Sequence, residues 1–204
     1  MVNQPHKPTP QQRILTAALH EFATHGYEAA STNAIATRAK VAKGLVFHYF
    51  EDKDQLFIKV FDVEVRRFTE RVFAFADPLP SDLFERLLQL TTHKLQIGQQ
   101  HPHMVDFLLV ALTETPPRVR AQLMKRQAAL TMTFWPRFVE GIDGSRLRKG
   151  LKIADAIETL TVLSDGLEKQ LSAQLRSHTA TLEQVTRIAW KHYARLRDGL
   201  YRPN

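Results

Sequence analysis

The stretch VAKGLVFHYF, residues 41–50, places a lysine and a glycine, then two apolar residues, before a cluster of rings. In a helix beginning near Lys43, these types suit the edge of a DNA groove. A lysine at a helix start reaches a guanine edge or a phosphate. Gly44 has no side chain and lets the backbone approach closely, and its helix-weakening cost of roughly 1 kcal/mol against alanine points to that approach as its purpose. Val46 and Phe50 lie four residues apart, as do Leu45 and Tyr49, so one set faces inward. Phe50 is expected to pack in the core, with Phe47 open to either role. His48 and Tyr49 carry polar tips that suit a position beside phosphates.

A second constellation with chemical potential is His93, His101 and His103 with Asp106 and Glu114, since a His-x-His pair can bind a metal. A His-Pro-His at a helix start equally well places its rings in solvent. No HExxH is present, and Gly141-Ile-Asp-Gly144 lacks the strand-loop-helix context of a phosphate loop. No catalytic residue, metal ligand or cofactor is therefore assigned. A helical metal-dependent enzyme is kept as an alternative, which metal analysis of the purified protein would test.

The elements that must position these residues are helical throughout. No segment shows a convincing strand alternation. Thr9-Pro10-Gln11-Gln12 reads as a capping box with proline at the first helical position, and His25-Gly26 as that helix's stop. A short second helix starts at Ser31 or Thr32 and carries Ile35, Ala36 and Ala39. Four residues later the helix containing Lys43 begins. Two short helices joined so tightly need the first as a backing, which makes a helix-turn-helix unit. Asp52-Lys53-Asp54-Gln55 opens a long fourth helix, expected to end at Asp77-Pro78. Further helices follow up to about Gln99, from His101-Pro102 to Thr115-Pro116-Pro117, and onward to Pro136, which is expected to kink or end its helix. Gly141 to Gly150 is the longest loop. Apolar residues in the last two helices, among them Val162, Leu163, Ile188 and Trp190, spread over more than one face and call for more than one neighbour.

Composition bounds the rest. The 204 residues are 44% hydrophobic and carry a net charge of +7, enough apolar material for a real core and a balance that permits a polyanionic partner. The late basic runs, however, read as solvated faces. The absence of cysteine excludes a thiol nucleophile and fits a reducing compartment. With no secretory h-region at the N-terminus and no run near the roughly 18 apolar residues of a membrane span, a cytoplasmic location is expected.

The order Gly26-Tyr27-Glu28-Ala29-Ala30-Ser31-Thr32, Ile35-Ala36, Val41 to Phe50, then Lys53 and Leu56-Phe57 resembles the DNA-binding domain of TetR-family transcriptional regulators, continuously from about Ile14 to Val60. The remainder resembles the family only in being helical and of the right length. The resemblance implies an all-α protein with a helix-turn-helix domain over 1–52 and a helical ligand-binding and dimerisation domain over 53–204. It implies a homodimer on a double-stranded operator, controlled by a small-molecule effector. Carried over by position, Thr32 holds a phosphate at the start of the second helix, Lys43 and Gly44 lie in the major groove, Tyr49 meets the backbone and Lys53 reaches a phosphate. Ser31, Lys40, Phe47 and His48 complete the expected DNA face.

Three positions depart from the family pattern. Ala42 stands where serine is common, Lys40 where glycine is common, and Phe47 where tyrosine is frequent. Lys40 is expected to adopt a conformation costly for a residue with a Cβ while adding positive charge beside DNA.

For an apolar effector, the expected wall comprises Phe61, Val65, Phe68, Met104, Phe107, Leu108, Met124, Met132, Phe134 and Trp135, with His93 or His103 orienting a polar group; core packing explains the same spacing. The expected dimer face is Ile157, Leu160, Ser164, Leu167 and Leu171 of the penultimate helix, with Val185, Ala189, Tyr193 and Leu196 of the last. Ligand-controlled repression is the leading expectation. Activation, or DNA binding without ligand control, would use the same head.

Overall fold

The computed structural model of the chain describes residues 7–74, 79–177 and 179–203. Among them are nine α-helices: α1 (Pro10–Ala29), α2 (Thr32–Ala39), α3 (Lys43–Phe50), α4 (Lys53–Ala74), α5 (Leu83–Gln100), α6 (Pro102–Thr113), α7 (Pro117–Val139), α8 (Ile153–Arg176) and α9 (Leu182–Leu200). The only extended pairing among these residues is an isolated bridge between Leu147 and Tyr201. The chain is all-α, as the periodicity predicts.

Local signals set most helix starts. Thr9 Oγ1 accepts from the Gln12 amide while Gln12 Oε1 accepts from the Thr9 amide, which satisfies two donors that the first turn would otherwise orphan. The same reciprocal box, Thr181 with Gln184, opens α9. Before α4 the Gln55 amide donates to Asp52 Oδ1 at 2.7 Å. The expected end of α4 at Asp77-Pro78 lies outside the described residues.

The expected stop at Gly26 is a break: at φ 73°, ψ −179° the residue is non-helical, and a further short stretch of helix runs on to Ala29. The glycine is a hinge that turns Tyr27 back onto the core. At Pro136, expected to kink or end its helix, α7 does not end but continues to Val139. A proline so close to a C-terminus removes one amide donor from the last turn, which the Glu140 amide then closes onto the Pro136 carbonyl at 3.0 Å.

The chain forms two compact units. The first contains residues up to Arg71 together with Gln96–Thr133, so compact packing does not break at residue 52. The short helices α2 and α3 have little apolar surface of their own, and α1 packs extensively on both α2 and α6. At the centre, Phe57 meets Phe22 edge-on at 4.8 Å between centroids, Tyr27 edge-on at 5.1 Å, and Phe107 at 4.9 Å. Such ring pairs add about 0.5–1.5 kcal/mol each beyond their buried area.

The second unit, Val72–Leu95 with Phe134–Asn204, pairs α8 with α9 and fixes its loop through Arg86. This buried guanidinium donates to the carbonyls of Pro80 (2.6 Å), Phe138 (2.6 Å) and Glu140 (2.7 Å). Arg86 thereby supplies the donors that a helix end and its adjoining loop lack. The chain's last residues lie along the 144–151 loop: Arg148 N donates to Leu200 O and Arg202 N to Arg146 O, each at 2.9 Å.

Candidate nucleic-acid interface

Helix α3 is anchored on one side and open on the other. Val46 (1% exposed) and Phe50 (5%) enter the first unit's core, while Lys43, Gly44 and His48 are exposed and Phe47 and Tyr49 keep 36% and 38% of their surfaces. A Cβ built on Gly44 meets nothing within 4 Å, so the space before the helix start is clear. The Lys43 ammonium lies 6.0 Å from the Phe47 ring centroid, and His48 packs edge-on against Tyr49 at 5.4 Å. Lysine, open glycine and tyrosine thus share the exposed part of one short helix, as the spacing predicts.

The α2–α3 turn depends on Lys40. Its φ of 53° and ψ of 52° are left-handed, and its amide donates to the carbonyls of Ala36 and Thr37. The Val41 amide returns to Ala36 O at 3.1 Å, completing a helix ending that normally selects glycine. These hydrogen bonds keep the turn tight despite the strain, with an exposed cation on its outside. Ala42, at the N-cap of α3, provides no side-chain cap.

Ser31 caps α2, accepting from the Ala34 amide at 3.4 Å, and its own amide donates to buried Glu21 Oε1 at 3.0 Å. Thr32, half-buried, is the first residue of α2, beside amides that face outward from a helix start. Lys53 Nζ donates to the Glu28 carbonyl at 2.9 Å and lies 5.1 Å from the Tyr27 ring centroid. An ammonium has three donors, so this bond leaves capacity for a phosphate.

Sequence reasoning missed the polar joint beneath the head. The Tyr27 hydroxyl donates to Asp54 Oδ1, and Arg118, at the start of α7, donates to the same carboxylate at 2.7 and 3.2 Å. The Arg118 hydrogen bond is the largest influence holding the Asp54 carboxyl below the usual carboxylate range, with Tyr27 adding to it against desolvation. Burial foremost pushes the Tyr27 hydroxyl up. Asp54 and Arg118 are 64 residues apart, and no local spacing signals their meeting.

The expected effector wall is divided. Phe61, Val65 and Phe107 belong to one buried core, with Leu108 packed against it. Phe68 is half-buried, whereas Met124 and Met132 are exposed. Met104 is buried and helps to line a cleft of about 300 Å³ with Leu19, Glu64, Arg67, His101 and His103. His93 belongs to the second unit, as do Phe134, stacked on Phe73 at 5.2 Å, and Trp135, against Phe138 at 5.3 Å. Among the described residues no three His, Asp or Glu side chains converge as a metal site. No helix among them is long and apolar enough to cross a membrane.

Of the expected dimer residues, Leu167, Leu171 and Val185 form a buried α8–α9 seam within the chain, with Ala189 and Tyr193 packed against it. Leu160 is also buried, and Ser164 Oγ lies 3.1 Å from the Tyr193 hydroxyl. Ile157 and Leu196 are half-buried, and Val162 is 68% exposed, so α8 retains apolar surface outside the seam.

Comparison with known proteins agrees with the head geometry. Residues 14–60 match the profile of the family described as bacterial regulatory proteins, tetR family. The HTH-type transcriptional repressor AcnR of Corynebacterium jeikeium is 37% identical over 164 residues, covering 78% of this chain and 79% of that protein. The HTH-type transcriptional repressor Rv3405c of Mycobacterium tuberculosis is 33% identical over 168 residues, 71% of this chain and 85% of the relative. In fold, the chain is similar to the transcriptional regulator FadR of Bacillus subtilis in complex with stearoyl-CoA, at TM-score 0.64 and 17% identity over 93% of this chain and 98% of that one. A capped three-helix head matched to the family profile, together with these relatives over most of the chain, identifies the protein as a member of the TetR family of transcriptional regulators.

Proposed function

We propose that the chain represses transcription as a homodimer on a palindromic operator and that a small apolar effector releases it. The observation that carries this reading is the open face of α3, where Lys43 and Gly44 stand clear while Val46 and Phe50 hold the helix from behind. Lys43 and Gly44 enter the major groove, with Phe47 and His48 beside them. Tyr49, Lys40, Lys53 and the Ser31–Thr32 helix start meet phosphates, which fixes register while the groove contacts specify sequence.

Residues 1–52 act as the DNA-binding domain and 53–204 as the ligand-binding and dimerisation domain. In the dimer, α8 and α9 pack on their copy, using Ile157, Val162 and Leu196 beside the seam formed by Leu160, Ser164, Leu167, Leu171, Val185, Ala189 and Tyr193. Such a dimer spaces its two heads one DNA turn apart, roughly 34–36 Å. The effector binds within the first unit, among Phe61, Val65, Phe68, Met104, Phe107, Leu108 and Met124, and shifts the dimer only through higher affinity for the DNA-incompetent state. Support comes from two relatives named as repressors and from the acyl-CoA complex of the fold neighbour.

The test is fluorescence anisotropy on a palindrome selected in vitro, with dimer mass followed by ultracentrifugation. Lys43→Ala and Tyr49→Ala should each weaken operator binding and leave the mass unchanged. Unchanged affinity in both variants would refute the placement of α3 in the groove.

A further inference from the structure

Two imidazoles meet where α1 packs on α6, and the DNA and effector roles do not account for His20 or for its contact with His103. His20 on α1 and His103 in the first turn of α6 have ring centroids 4.6 Å apart, with planes tilted by 47°. His20 Nδ1 is buried and makes no hydrogen bond. A neutral imidazole with its proton on Nε2 leaves only a lone pair there. Protonation puts an N–H on Nδ1 as well, a buried donor with no acceptor.

The surrounding charges act mostly in the same direction. Arg38 faces His20 from α2 and His103 from α6, while Glu21 and His25 lie on α1 itself. Burial is the first cause holding His20 below its ordinary value, followed by Arg38 and His103, with His25 adding a smaller part against the opposing Glu21. Glu21 is already engaged: its Oε1 accepts from the Ser31 amide at 3.0 Å, and its carboxylate lies 3.9 Å from His25 Nε2. It is therefore a weak counter-charge for an imidazolium at His20.

We propose that the His20–His103 contact is a proton-sensitive joint: in mildly acid solution His20 takes up a proton, is repelled by His103 on α6 and Arg38 on α2, and loosens the head's packing. Weaker operator binding follows on the DNA-binding reading given above; the loosening itself does not depend on that reading. The sign follows from linkage. The folded chain disfavours the charged form, so this contribution is complete above the unfolded histidine value of about 6.5 and is lost as pH falls below it. Each unit by which the folded midpoint lies lower changes the folding equilibrium about tenfold.

The test compares the full chain with His20→Gln and His103→Glu by melting temperature from about pH 8 to about pH 5, a range that spans the histidine transition. The wild type should lose stability below about pH 6.5, and His20→Gln should flatten that loss. His103→Glu places a carboxylate opposite the ring and should reverse the joint's slope. The NMR midpoint of His20 should lie below the ordinary value in the wild type and rise in His103→Glu. Superimposable melting profiles for all three proteins, or a wild-type His20 midpoint at or above the ordinary value, would overturn the joint. Should His20→Gln not fold, the His103→Glu profile and the two midpoints decide. Operator affinity at the two pH extremes should fall more on acidification in the wild type than in His20→Gln, with exposed His48 common to both. Absence of operator binding at every pH would sink the DNA reading and leave the melting arm intact.

Discussion

Replacing Gly26 by alanine tests whether the head is built on a backbone hinge. At φ 73° and ψ −179° the residue occupies a region essentially reserved for glycine, where a side chain costs of order 1–3 kcal/mol. The added Cβ would lie 2.6 Å from Glu114 Oε2, the tip of an exposed and flexible side chain that can swing away. Backbone strain therefore dominates, partly offset by the roughly 0.4–1 kcal/mol that alanine gains by restricting the unfolded chain. The net loss is about 1–2 kcal/mol, or roughly 2–8 °C in melting temperature for a chain of this size. Differential scanning calorimetry on Gly26→Ala, Glu114→Ala and the double variant separates the two causes. The double variant should melt with Gly26→Ala. Full recovery in the double variant would assign the cost to the Glu114 contact, and an unshifted single variant would refute the hinge altogether. Operator affinity should fall with stability, because the hinge aims Tyr27 at Phe57 and Asp54.

The left-handed strain at Lys40 should be relieved by Lys40→Gly, raising stability by about 1 kcal/mol in urea unfolding while operator affinity falls through loss of a cation. Arg86→Met leaves three carbonyls without their donor and should cost roughly 3–5 kcal/mol, seen as an early transition in the fluorescence of Trp135 and Trp190. Asp54 is held below its unfolded value, so its contribution is present above about pH 4 and lost as pH falls below that. Tyr27→Phe removes one of the bonds responsible, and its acid-unfolding curve should be less steep than the wild type's.

What the sequence made legible was local. Thr9 with Gln12 and Thr181 with Gln184 announce their helices because each cap is completed within four residues. The order of Lys43, Gly44, Val46 and Phe50 divides α3 into an outer and an inner side for the same reason. Gly26 was legible as a breaker but not as a hinge, because what makes the chain resume as helix is Tyr27 packing on Phe57, a contact thirty residues on. Phe107 shows what spacing alone does not distinguish: a ring at helical spacing reads the same whether it faces a ligand or packs, as it does, on Phe22 and Phe57.

The least legible feature has the widest reach. Asp54 at the start of α4 accepts from Tyr27 of α1 and from Arg118 of α7, so one carboxylate ties three helix ends together directly beneath the helix-turn-helix. Charge-assisted bonds of 2.7 and 3.2 Å couple the first turn of α7 to Asp54, and through it to Tyr27. Tyr27 in turn lies beneath the Lys53 ammonium, whose bond to the Glu28 carbonyl links the end of α1 to the start of α4. The expected phosphate ligand Lys53 and the α7 terminus are thus mechanically connected through two side chains, Tyr27 and Asp54. The start of α7 is consequently joined to Lys53, an expected phosphate ligand, by a continuous chain of polar and ring contacts.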